Sequence, residues 1–195
     1  MGSTSVIAPP PPVAGAPAAE VVAYFTTHHV SLEIESINLS VGMIFLLIFA
    51  ASLHARIGTT VSLTALAAAT VIAACTLIEV AAFEALVYRP NPDGARATLL
   101  NDFQDFGFLV TTFPALLFLA ASSYAIVTSR ALPRILGQAA AIAAALQVVA
   151  WVSFFAPSGP LAAGGIPSII AFAALTVWIA ACSVTMIAKP SPAPN

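Results

Sequence analysis

Between Arg134 and Lys189 the chain carries no charged side chain, and between Arg56 and Arg89 it carries only Glu79 and Glu84. Stretches of that length cannot cover a water-facing surface, whereas a surface solvated by hydrocarbon needs no charge. The whole sequence repeats the point: 7% of its 195 residues are charged and 60% are hydrophobic. A soluble domain is about 25% charged. The expected fold is therefore all-α, an integral membrane bundle of five transmembrane helices.

The five candidate spans are 37–53, 61–88, 103–128, 135–155 and 167–188. Ahead of them, residues 1–17 are rich in proline and small residues, with neither an apolar core nor a basic start. They read as a disordered tail rather than a signal peptide. Residues 18–35 read as an amphipathic interfacial helix, with Val21, Val22, Phe25 and Leu32 near one face and Glu20, Thr27, His28 and Glu35 in polar positions. It either lies on the surface or runs straight into the first span. The membrane domain is 36–189, and 190–195 is a second proline-rich tail. Pro-Asn-Pro-Asp-Gly at 90–94 is strong turn chemistry, and Pro114 is expected to kink the third span.

An odd number of spans puts the termini on opposite sides. Arg56, Arg130, Arg134 and Lys189 share one side, and Arg89 and Arg96 the other. The positive-inside rule then places the N-terminus outside and the C-terminus inside. Small residues in the fourth span (GQAAAIAAAL), with Gly137 and Ala141, and Ala69 and Ala73 in the second, suit close helix approach and suggest that these two spans lie inside the bundle.

Glu79 is the most informative residue. It lies about 15 Å along the helix axis from Arg89. A charged side chain at mid-membrane costs about 2.5–3.5 kcal/mol on the insertion scale, so such a group faces the interior, pairs or takes a proton. Glu79 is thus either a proton-, cation- or ligand-binding carboxyl or a neutral acid bonded to a neighbouring helix. Glu84 projects some 140° away from it and reads as interfacial, near Arg89. Asp102 and Asp105 share a face, where they either cap a helix N-terminus or join an acidic cluster. His29 and Glu33 stand at i and i+4 beside His28 and Glu35, a loose likeness to a metal-ligand set without the HExxH order. The combined candidate site is Glu79, Glu84, Asp102, Asp105, Glu33 and His29, all at the outer end of the bundle.

No nucleophile elbow, phosphate loop or paired haem histidines occur, and neither an enzymatic activity nor a cofactor is expected. The absence of a basic run argues against nucleic acid. Cys75 and Cys182 lie in apolar runs and read as core residues. Two functional classes follow. One is a small non-enzymatic accessory, assembly or regulatory module, working through helix contacts with another membrane subunit or a second copy of the chain. The other is carboxylate-based binding or transport of a proton, cation or small ligand through Glu79. The bilayer is the common partner.

The segment 106–137, FGFLVTTFPALLFLAASSYAIVTSRALPRILG, with its Leu132-Pro133-Arg134 turn and Gly137, resembles a stretch of uncharacterised four- to five-span membrane proteins common in actinobacteria. The entry segment at Ala23-Tyr24-Phe25 and His28, and the Ala55-Arg56 end of the first span, are similar too. The resemblance implies a bacterial cytoplasmic (inner) membrane setting and carries no activity or functional residue with it.

Overall fold

The computed structural model describes residues 9, 11–88, 93–156, 160–162 and 165–188. Arg89, Lys189 and the C-terminal tail lie outside the described residues, as does most of the stretch before Pro11. The chain forms five helices: α1 Ala18–Ile57, α2 Thr60–Val87, α3 Gly94–Ser129, α4 Arg134–Ala150 and α5 Ile166–Ala188, with a 3-10 turn, Trp151–Phe155, continuing α4. All five runs are long and apolar enough to cross a membrane. The interfacial segment and the first span are one 40-residue helix, because no proline or glycine interrupts the chain from Ala18 to Val41.

The turns follow from local chemistry. Gly58 closes α1 in the left-handed region at φ 68°, where a Cβ would be strained. Thr59 and Ser62 then form a reciprocal capping box at 3.1 Å in both directions, satisfying two orphan amides at the start of α2. His54 Nδ1 lies 2.8 Å from the Ser62 hydroxyl and ties the two helices across the turn. Arg56 reaches further, donating to the carbonyls of Ala131 and Met186 and so binding the α3–α4 turn and the end of α5 to the end of α1. The helix α3 starts at Gly94 with Asp93 as its N-cap, the carboxylate accepting from the Ala95 amide at 3.3 Å. Asp102 and Asp105 therefore lie more than two turns inside the helix and cap nothing.

The centre of the bundle is α3, with half of its most apolar window buried. It is flanked by α2 and α4, which carry α1 and α5 on their outer sides. The alanine-rich second and fourth spans are thus the flanking layers, and their small residues make the contact with the middle. The buried row of α2 is Ala65, Ala68, Ala69, Ile72 and Ala73. On α4 the buried small residues are Gly137, Ala140, Ala143, Ala144 and Ala150, whereas Ala141 is exposed. Gly137 meets α3 so closely that its carbonyl accepts from the Ser123 hydroxyl at 2.7 Å. A Cβ there would stand 2.7 Å from Val127 Cγ2 and 3.2 Å from the Ser123 carbonyl oxygen. Gly137→Val is expected to cost about 1–3 kcal/mol by forcing α3 and α4 apart. Unfolding of the purified variant in mixed micelles measures it, and an unchanged midpoint would contradict the close approach.

Buried side chains form two clusters. The larger one runs through the bundle and centres on Phe49, Phe118 and Trp178, whose rings pack edge to face at 5.7–6.4 Å. The smaller one joins Val21, Phe25 and Leu32 of α1 to Phe83, Leu86 and Val87 of α2 and Ala97 of α3. The described part of the N-terminal segment lies over this second cluster. Asn101 donates to the Pro12 carbonyl at 3.0 Å, the Gly15 amide donates to Asp102 at 2.9 Å, and the Tyr24 hydroxyl donates to the Pro9 carbonyl.

Candidate functional site

The outer helices α1 and α5 scarcely touch. The gap between them is a cleft of about 860 Å³, floored by α2, α3 and α4. That volume falls in the range of about 300–1,000 Å³ typical of small-molecule sites. Its walls are mostly apolar: Leu46 and Phe49 from α1, Ile72 from α2, Ala115 from α3, and Leu175 and Ile179 from α5.

Polar groups collect at one end. Glu79 is 6% exposed and opens onto the cleft, with its Oε1 accepting the Thr111 hydroxyl at 2.7 Å. The same hydroxyl lies 3.0 Å from the Gly107 carbonyl of its own helix. Gly107 makes room for the carboxyl, since a Cβ there would stand 2.8 Å from Glu79 Cγ. Thr76 lies one turn before Glu79 on the same wall. Thr112 accepts from Trp151 Nε1 at 2.9 Å and donates to the Leu109 carbonyl. Gln147 donates to the Ala171 carbonyl at 3.0 Å, holding α5 on α4. Ser168 lines the same end, 1% exposed, and its hydroxyl has no partner among the described residues. Glu35 and Asn38 flank the mouth from α1.

These residues share a level. Counted along the helices at 1.5 Å per residue, Glu79 lies about 28 Å from Thr60, Thr111 about 27 Å from Ser129, and Ser168 about 30 Å from Ala188. A hydrocarbon core is about 30 Å thick. With one boundary at the Arg56 end, the polar end of the cleft stands at the other. On that count Glu79 is enclosed by protein about 28 Å along α2 from the Arg56 end.

The other acids lie elsewhere. Asp102 and Asp105 sit beneath the N-terminal segment, Asp102 bonded to Gly15 and Asp105 facing the Ala14 amide. Glu84 is half-buried on α2, and the Arg89 proposed beside it lies outside the described residues. His29 and Glu33 are exposed on α1. Among the described residues, no three His, Cys, Asp or Glu side chains are near enough to hold a metal ion together. The six acids and histidines singled out in the sequence thus occupy at least three separate places. Thr111, Ser168 and Gln147 were missed, because a hydroxyl or amide in an apolar helix carries no sign of which neighbour it meets. Thr76 was missed as well, although its place at i−3 from Glu79 was a signal that could have found it.

The chain's similarity to known proteins was sought among family descriptions, curated proteins and solved structures, and none matches. What the helices establish by themselves is the class: the chain is a multi-span α-helical membrane protein, in contact with the lipid bilayer.

Proposed function

We propose that this protein is a membrane-embedded binding protein that holds a small apolar molecule in the cleft between α1 and α5, with Glu79 as its polar anchor. The single observation that carries the reading is a buried carboxyl opening onto a cleft of ligand size. A carboxyl kept only for helix association would be sealed by its Thr111 partner with no space beside it. Transport or storage of a metal ion is less well supported, since the carboxylates do not gather. The accessory-module reading requires another protein to use the bundle's surface. A spanning helix 10–12 Å wide and about 30 Å long occupies roughly 2,800 Å³. The cleft holds about 860 Å³, so a partner helix would lie across its mouth rather than fill it. Placement in a bacterial cytoplasmic membrane, N-terminus outside, completes the proposal and rests on the basic residues at the Arg56 end and on the resemblance above.

Gly42 supplies the test. It lines the cleft, and a Cβ built on it meets nothing within 4 Å. Gly42→Phe should therefore place a ring in the cleft without disturbing the helices. Organic extracts of purified wild-type protein are expected to contain one apolar species in near-stoichiometric amount, depleted about tenfold or more in Gly42→Phe. Identical extracts from the two proteins would defeat the proposal.

A further inference from the structure

Resting on the binding function proposed above, we infer that the molecule in the cleft is a single-chain amphiphile that enters sideways from the bilayer and presents a non-anionic, hydrogen-bond-donating head to Glu79 and Ser168. The cleft itself has the polarity of such a molecule. Glu35, Thr76, Glu79, Thr111 and Ser168 occupy one end, the last three about 27–30 Å along the helices from the Arg56 end. From there it runs about 25 Å toward the Arg56 end, judged from Glu35 to Ser52 on α1. That lower part is walled by Phe49, Ile72, Leu175, Ile179 and Met186. Besides Ser183, the hydroxyls there are those of Ser52 and Thr176, bonded to their own helices at the Ile48 and Phe172 carbonyls. They offer a chain little polar competition.

The head follows from what the polar end lacks. Among the described residues no Lys, Arg or His lines the cleft, and two glutamates do. A phosphate or carboxylate head would meet a like charge with no cation to offset it, which costs several kcal/mol. An alcohol or an ammonium donates to the Glu79 carboxyl. Ser168 offers the second point of attachment, because its hydroxyl is buried against the cleft and unpartnered. An unmet hydroxyl of that kind is costly in a resting protein and is offset when a ligand head bonds to it. Lateral entry follows from the walls, since Phe45, Ile48 and Ile187 line the cleft and are exposed, apolar rims that a chain arriving from the bilayer can cross.

The two tryptophans make this measurable. Trp178 packs 5.8 Å from Phe49, a wall of the tail region, while Trp151 bonds Thr112 at the polar end. Trp151→Phe leaves Trp178 as the only indole. The protein, reconstituted in phosphatidylcholine nanodiscs, is titrated with a long-chain alcohol, amine and carboxylate of equal length, each brominated at its terminal carbon. The alcohol and the amine are expected to quench Trp178 saturably, and the carboxylate to need about tenfold more or greater. Ser168→Val should weaken the alcohol and the amine about tenfold. Wild-type protein, titrated in parallel, serves if Trp151→Phe does not fold. Equal quenching by all three heads, or an unchanged affinity in Ser168→Val, would overturn the head assignment while leaving a ligand-binding cleft in place. Quenching that is nowhere saturable and is unaltered by Gly42→Phe would remove the cleft as a binding site altogether.

Discussion

Trp178→Ala is expected to lower the stability of the bundle by about 2–4 kcal/mol, among the largest effects of any single truncation in this protein. Trp178 is 3% exposed and joins three helices at once. Its ring packs on Phe49 of α1 and Phe118 of α3, and its Nε1 donates to the Leu136 carbonyl of α4 at 2.8 Å. In lipid, helices gain little from hiding apolar surface, so the loss is one of packing: the cavity left behind and the ring contacts forgone. The Leu136 carbonyl retains its place in the helix ladder, so the lost indole bond adds only a modest amount. Trp178→Phe, which preserves most of the ring contacts, should cost about 1 kcal/mol. Chemical unfolding of the two variants in mixed micelles gives both numbers. A Trp178→Ala protein within about 0.5 kcal/mol of wild type would show that these rings do not hold the bundle together.

The second large effect separates folding from binding. Removing Thr111 alone leaves the Glu79 carboxyl without its donor, and Thr111→Val is expected to destabilise by about 1–3 kcal/mol. Replacing both partners together, as Glu79→Leu with Thr111→Val, removes the buried polar pair and should return stability to the wild-type value or above it. The same double variant should lose the bound amphiphile, with apparent affinity down at least about tenfold. Unfolding midpoints and bromoalkyl quenching on the same samples give the two readouts. A double variant that is both unstable and fully competent to bind would reverse the assignment, making Glu79 a structural acid. A carboxyl whose removal helps the fold and harms the binding is retained for its chemistry.

The fold was readable from the chain because its main signal is one-dimensional. Runs without charge mark the spans, and Gly58, Asp93 and Pro133 punctuate them where the helices stop or start. The helix layout was harder. Alanine-rich α2 and α4 read as lying inside the bundle, and they do stand between α3 and the outer helices; that α3 is the middle was not legible, since small residues mark where two helices approach and not which of them is central. At the site, Glu79 was legible as a charge in an apolar run. Its surroundings were not, because Thr111 is 32 residues away and meets it only through the relative rotation of two helices. Asp102 and Asp105 were read as a helix start because the polar stretch before them looked like loop. The Asp93 cap places it inside α3 and leaves both acids to hold the N-terminal segment.

The length of α1 has a bearing on how a guest departs. At about 60 Å it is twice the hydrocarbon thickness, so about half of it is more than a single crossing needs, and its first half packs with the end of α2 and the start of α3. On the opposite flank α5 begins at Ile166, level with Ser168. The Glu35 end of the cleft is therefore flanked by α1 well beyond the point where α5 begins. On the binding function proposed, a molecule leaving by that end would pass along α1, and an acceptor would have to meet it there.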